Sequence, residues 1–302
     1  MELKHILSIK PFSRKDIERI FEISNEMESI AFEKRKLDIL KDKVMAVLFF
    51  QPSTRTRLSF ETAMQRLGGS VIGFADPEQS RAGGQTQETL KDTAKVIQGY
   101  ADVAVIRHHV DFAADEFARH SNIPVINGGD GFNEHPTQAI LDLYTIKKEF
   151  GRIDKINVLI WGHMGLRAFH SLCFALAKFD AVSVYLYSPE ELRTPEAIKK
   201  EYERMGLRYH EVDEVDRILD RIDVFYLGQV RRGRDLVTEK KYVLDCEKLR
   251  KAKKEAIVLH PLPRTDELPE EVDDTPHAKY FIQSDYGLVT RMALLNYIFC
   301  ER

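Results

Sequence analysis

Phe49-Phe50-Gln51-Pro52-Ser53-Thr54-Arg55-Thr56-Arg57-Leu58-Ser59-Phe60-Glu61 joins an apolar strand to a helix, and the chemistry of that joint decides how the rest of the chain reads. Val44–Phe50 is a continuous apolar run, Gln51-Pro52 breaks it, and a helical pattern opens on Ser-Thr-Arg-Thr-Arg. The first turn of a helix carries backbone N–H groups without intrahelical acceptors and a partial positive charge. Such an end draws anions, phosphate above all. Ser53, Thr54 and Thr56 add hydroxyls and Arg55 adds a guanidinium, making a cup of donors of phosphoryl size. The same residues also fit an ordinary Ser/Thr-capped helix with a solvated basic face.

Outward from this joint, short β-rich runs alternate with amphipathic helical stretches. Strands are expected at Val44–Phe50, Ser70–Phe74, Val103–Ile106, Pro124–Asn127, Asn157–Trp161, Val182–Tyr187, Val224–Leu227 and Ala256–Leu259. A helix over Arg57–Leu67 stops at Gly68-Gly69, and a long one begins at Pro136, a favoured first helical position. The pattern predicts an α/β protein with two doubly wound parallel-sheet domains joined by interdomain helices. Residues 1–134 form the first domain, with the last helix, 287–302, packing back on it, and residues 135–286 form the second. A length of 302 residues and 43% hydrophobic content suit two such cores.

A net charge of −3 implies neither a nucleic-acid nor a membrane partner, so any anion site must be local. The three cysteines, Cys173, Cys246 and Cys300, form neither a disulfide framework nor a zinc pattern. No metal site is expected. The opening residues lack a signal-peptide core and no apolar run reaches spanning length, so a cytoplasmic, reducing home is expected.

Ligands of open α/β sheets sit beyond the carboxyl ends of the strands, and further motifs fall there. Arg107 ends a strand at Val105-Ile106-Arg107-His108-His109. Gly128-Gly129-Asp130-Gly131-Phe132-Asn133-Glu134-His135-Pro136-Thr137-Gln138 follows another strand, with His135 and Gln138 one helical turn apart. His260-Pro261-Leu262-Pro263-Arg264 follows a third, and Arg167 opens the helix after Asn157–Trp161. Singly, each has a plain reading: a capping histidine, a surface ion pair, a stiff Pro-Leu-Pro turn. Together they gather guanidinium groups, hydroxyls and an imidazole at neighbouring strand ends of a nearly neutral protein. Gly162-His163-Met164-Gly165 lacks the three-glycine dinucleotide pattern, and no acidic residue ends the next strand at Tyr187-Ser188, so a dinucleotide oxidoreductase is not supported. His108-His109 is read as structural or polar surface rather than as a metal pair, because adjacent side chains diverge on a strand.

F-F-x-P-S-T-R-T-R-x-S-F-E, the strand-end R-H, G-D-G-x-x-x-H-P-T-Q and H-P-L-P-R, in that order, resemble the aspartate/ornithine carbamoyltransferase family, in its aspartate branch. The resemblance implies transfer of a carbamoyl group from carbamoyl phosphate to L-aspartate in pyrimidine biosynthesis, without cofactor. It implies a homotrimer with shared active sites and leaves room for a regulatory chain or a dihydroorotase partner. It also implies that Ser53, Thr54, Arg55 and Thr56 hold the phosphate, and that Thr56, Arg107 and His135 face the carbonyl oxygen. Gln138 and the carbonyls of Pro261 and Leu262 would accept from the carbamoyl NH2, and Arg167 would bind the α-carboxylate of the acceptor. Arg234 and Arg264 resemble domain-closing charges.

The resemblance breaks at two places. The family carries a lysine in the loop reaching a neighbouring site; Thr86 stands there, and Arg81 is the loop's cation. The family's Arg-x-Gln becomes Gln229-Val230-Arg231. Residues two apart on an extended segment lie about 6–7 Å apart, so the swap moves a charge beyond hydrogen-bond reach. Three readings remain: an aspartate carbamoyltransferase in which Arg231 or Arg81 compensates, a carbamoyltransferase for a different amine, and a non-catalytic binding or assembly paralogue.

Overall fold

The computed structural model describes residues 5–81, 87–230 and 237–300. In chain order the elements are α1 (Arg14–Phe32), β1 (Val44–Phe49), α2 (Arg55–Arg66), β2 (Ser70–Phe74), α3 (Leu90–Ile97), β3 (Val103–His108), α4 (Ala113–Arg119), β4 (Val125–Asp130) and α5 (Pro136–Phe150). There follow β5 (Asn157–Trp161), α6 (Arg167–Leu176), β6 (Ser183–Tyr187), α7 (Glu196–Arg204), β7 (Tyr209–Glu211), β8 (Val224–Leu227), α8 (Cys246–Leu249), β9 (Ile257–Leu259) and α9 (Tyr280–Phe299). Two compact units result, Met1–Leu141 with Asp285–Arg302, and Asp142–Ser284. The chain passes between them inside α5 and inside α9.

The first unit holds a four-stranded sheet of order β2-β1-β3-β4, paired parallel throughout. Its central strands β1 and β3 are buried along most of their length and rich in Val, Ile, Leu and Phe, as strands covered on both faces are, while the edge strand β2 is largely exposed. On one side Ala46, Leu48, Ala104, Ile106 and Val125 pack with Ala94 of α3 and Phe117 of α4. The chain moves one way from β1 to β2, then crosses over to β3 and β4. Strand order therefore reverses between β1 and β3, which opens a crevice at their carboxyl ends.

The second unit holds a five-stranded parallel sheet of order β7-β6-β5-β8-β9, with its reversal between β5 and β8. Trp161, Phe225, Leu227, Val258 and Tyr280 centre one side of its core. Helix α6 is buried from Ala168 to Leu176, a mostly apolar stretch that also buries His170 and Ser171.

The expected strands are all present. β7 was not anticipated, because Tyr209-His210-Glu211 is a short edge strand with no apolar run. Helix α9 starts at Tyr280, earlier than the Gly287 start that composition suggests. Gly287 sits inside it, where an added Cβ would lie 2.6 Å from an Arg291 guanidinium nitrogen. Among the described residues, no helix is long and apolar enough to cross a membrane.

Candidate active site

Helix α2 begins at Arg55 without a side-chain cap. Thr54 occupies the capping position with helical angles (φ −77°, ψ −59°) and makes no capping bond, so the ordinary-cap reading does not hold. The first N–H groups are left to an external acceptor. Arg57 is turned to an ion pair with Glu61 at 3.5 Å, one helical turn on. Arg55 is partly buried, and burial pulls its guanidinium below the ordinary arginine range, where it still carries its charge at neutral pH.

Thr56 is buried, and its Oγ1 lies 3.2 Å from His135 Nε2. The other ring nitrogen, Nδ1, is 3.4 Å from Thr137 Oγ1. Two residues far apart in sequence thus meet at the α2 mouth. Arg107 sits on β3 where the β3–β4 register slips, between the pairs Ile106↔Asn127 and His108↔Asp130. Gly128 and Gly129 together oppose this one residue, a bulge that re-aims its side chain. Arg107 Nη1 donates to the Gly128 carbonyl at 3.1 Å. Gln138 is buried in the first turn of α5, its N–H bonded to the His135 carbonyl at 3.0 Å.

Sequence reasoning missed the frame behind His135. Glu134 is buried, accepts from the Ser8 hydroxyl at 2.5 Å and the Ile9 N–H at 3.0 Å, and lies 3.9 Å from Lys10 Nζ. Asp130, also buried, accepts from Asn127 Nδ2 at 2.8 Å and Asn133 Nδ2 at 3.1 Å. Asp130 and Glu134 flanking Asn133 between a buried strand and a buried helix start are the available signal, since buried carboxylates need donors. His108 is buried against Phe50 and stacked on His109, and its Nδ1 accepts the Val110 N–H at 3.0 Å. Burial, aided by the neighbouring His109, pushes its pKa down to about 4. The expected divergence of the two side chains is not seen: their rings stack with centroids 4.4 Å apart, His109 lying just beyond the end of β3.

In the second unit, Arg167 is the first residue of α6, again without a side-chain cap at the preceding Leu166. The turn leading to it is tied to the end of β8: His163 N–H donates to the Gln229 carbonyl at 3.0 Å, and Gly228 N–H to the Trp161 carbonyl at 3.0 Å. The loop that leads into Arg167 and the loop that carries Gln229 are therefore adjacent at the reversal between β5 and β8. His163 Nδ1 is committed to the Gly165 N–H at 2.9 Å. Pro261 and Leu262 follow β9, next to β8. Arg264 forms a two-pronged pair with Asp273 and also reaches the Tyr280 hydroxyl. The bond from Asp273 raises the Arg264 pKa, and the same bond lowers that of Asp273. Thr86, Arg231 and Arg234 lie outside the described residues. Among the described residues, no cluster of His, Cys, Asp and Glu fits a metal ion.

Two family models match the chain. One, "Aspartate/ornithine carbamoyltransferase, carbamoyl-P binding domain", covers residues 4–148, and the other, "Aspartate/ornithine carbamoyltransferase, Asp/Orn binding domain", covers residues 154–298. The aspartate carbamoyltransferase catalytic subunit of Thermococcus onnurineus is 44% identical over 300 residues, 97% of this chain and 96% of that protein. That of Archaeoglobus fulgidus is 45% identical over 301 residues, 97% and 98% of the two chains. Aspartate transcarbamoylase of Trypanosoma cruzi, crystallised with aspartate and phosphate, superposes with a TM-score of 0.89 at 36% identity, covering 97% of this chain and 94% of that one.

Proposed function

The chain belongs to the aspartate/ornithine carbamoyltransferase family, and we propose that it transfers the carbamoyl group of carbamoyl phosphate to the amino group of L-aspartate, giving N-carbamoyl-aspartate and phosphate. The observation that carries this reading is the 3.2 Å meeting of Thr56 and His135 at the uncapped mouth of α2.

Carbamoyl phosphate is a mixed anhydride with a dianionic leaving group. The amine attacks its carbonyl carbon, an oxyanion develops, and phosphate leaves with the electron pair of the broken C–O bond, taking up the proton that the amine nitrogen gives up. Positioning and electrostatic stabilisation supply the rate. In this reading Ser53, Thr54, Arg55 and the α2 N–H groups bind the phosphate. Thr56, Arg107 and His135 donate to the carbonyl oxygen, and these bonds strengthen as charge grows. A neutral imidazole suffices: with its proton on Nε2, Nδ1 accepts from the Thr137 hydroxyl. Gln138 and the Pro261 and Leu262 carbonyls accept from the carbamoyl NH2, because an amide N–H needs acceptors. Arg167 binds the α-carboxylate of the acceptor. Gln229, Arg231 and Thr86 are the remaining acceptor-side residues by sequence, and Arg231 or Arg81 is the guanidinium that would meet its second carboxylate.

The reading extends to a homotrimer with shared sites. β2 is an edge strand, and its exposed Ile72 borders a cavity of about 740 Å³ lined by both apolar and charged side chains, an unpaired edge of the kind a second copy covers. A reducing cytoplasm suits the three unpaired cysteines. One observation favours a second reading: with Thr86 and Gln229 at the family's cationic positions, the acceptor is an amine with a less acidic side chain. Radiolabelled carbamoyl phosphate assayed against aspartate and a panel of amines separates the two. Carbamoyl-aspartate as the main product is the expected result. Turnover with another amine alone establishes the second reading, and phosphate binding without any turnover refutes both.

A further inference from the structure

The turn beyond β9 is pinned by a buried network that no proposed substrate contact includes. His260 N–H donates to Gln283 Oε1 at 2.8 Å, Gln283 Nε2 donates to Asp142 Oδ1 at 2.6 Å, and the Tyr226 hydroxyl donates to the other Asp142 oxygen at 2.6 Å. Leu262 N–H donates to His260 Nδ1 at 2.8 Å. A backbone N–H can only donate, so Nδ1 carries no proton. The ring is therefore neutral, with its one hydrogen on Nε2, 3.1 Å from Glu267 Oε1. Glu267 is fully buried and also accepts from the Thr265 N–H at 2.8 Å and from the Thr265 hydroxyl. Burial alone pushes its carboxyl up, but these donors outweigh burial and hold it below the usual range, so the acceptor for His260 is a carboxylate.

Leu262 has φ +53°, a left-handed conformation that a leucine keeps only when its surroundings hold it. Its N–H and the Pro261 carbonyl belong to one planar peptide unit and point in opposite directions. Anchoring the N–H on His260 therefore fixes where the Pro261 oxygen points. A flip of that peptide would present an N–H where an acceptor is needed.

We propose that His260 and Glu267 are positioning residues that aim the Pro261 carbonyl at the carbamoyl NH2, and so make the site select a carbamoyl over an acyl phosphate. This deepens the reading above, in which that carbonyl accepts from the NH2. Glu267 fixes the imidazole tautomer, the imidazole fixes the Leu262 N–H, and the peptide plane transmits the orientation to the oxygen.

Acetyl phosphate tests this, because it keeps the phosphate and carbonyl but carries a methyl group in place of NH2. The full chain and three variants, His260→Ala, His260→Asn and Glu267→Gln, are titrated with carbamoyl phosphate, acetyl phosphate and inorganic phosphate. His260→Ala is expected to weaken carbamoyl phosphate about tenfold, while acetyl phosphate and phosphate change less than about twofold. Glu267→Gln moves the same way by a smaller factor. His260→Asn recovers most of the loss, because an asparagine oxygen accepts an N–H two residues on. Should His260→Ala not fold, His260→Asn and Glu267→Gln carry the test. Equal weakening of all three ligands, or unchanged discrimination in every folded variant, overturns the proposal alone. A wild-type chain that binds carbamoyl and acetyl phosphate equally refutes the carbonyl-acceptor reading, and the proposal with it.

Discussion

Arg55 and Arg57 are two residues apart and chemically identical, yet the structure separates them. Arg57 is spent on Glu61 across a helical turn, a pair worth a few tenths of a kcal/mol at an exposed surface. Arg55 sits partly buried at the uncapped helix start. Arg55→Ala is expected to remove one charge-assisted contact of roughly 1.5–3 kcal/mol, lowering kcat/KM by about 10–150-fold. Arg57→Ala should stay within about twofold. Steady-state kinetics on both variants decide it, and equal losses would refute the assignment. His108 gives a second test at this scale. Its pKa is about 4 in the folded chain against 6.5 in the unfolded one. Between these values the unfolded chain takes up a proton that the native one refuses. Stability is therefore full above pH 6.5 and declines as pH falls toward 4. His108→Asn keeps an acceptor for the Val110 N–H and removes the titration. Its urea midpoint should fall less than wild type's between pH 7 and pH 4.5.

At the scale of elements, residues 53–56 and Arg107, and Arg167 and Gln229, lie by the strand ends where order reverses, while His135 and Pro261-Leu262 follow the strand next to each reversal, β4 and β9. In the second unit the loops after β5 and β8 approach closely. Gly162 has φ +141°, and an added Cβ would lie 2.3 Å from the Gly228 carbonyl oxygen. Gly162→Ala must move one loop, and a strained residue costs about 1–3 kcal/mol. The melting temperature should drop by roughly 2–4 °C for each kcal/mol. Acceptor KM should rise while phosphate binding holds, because the residues read as binding phosphate are in the other unit. Calorimetry and phosphate titration on one preparation check both. The elements themselves were largely legible from periodicity. β7 was not, because a three-residue edge strand of Tyr-His-Glu carries no alternation. Nor was the start of α9, because Gly287 reads as a boundary while packing against Arg291 makes it an interior position.

For the molecule as a whole, the exposed edge of β2 bears on assembly. Ile72 is 39% exposed on an edge strand, where a charge is tolerated in a monomer and excluded from a packed interface. With the trimer proposed above, Ile72→Asp is expected to shift the sedimentation profile toward monomer and to lower specific activity several-fold, with activity rising again as protein concentration increases. An unaltered oligomer with full activity would show that this edge is not the contact.

The sequence by itself determined the alternation of strands and helices, the anion-drawing helix start at Ser53–Thr56, and the placing of Arg107, His135, Arg167 and Pro261-Leu262 at strand ends. These are local properties, set by side-chain period and by residue types within a few positions of each other. Only the tertiary structure decided that β1 lies beside β3 and β5 beside β8, which makes crevices of those strand ends. It also decided that Thr56 meets His135, that Asp273 claims Arg264, and that Leu262 and Glu267 fix the protonation of His260. Parallel strands pair across long crossovers, and buried polar groups take whichever partner the packing delivers. Neither choice leaves a mark in the local pattern of residues.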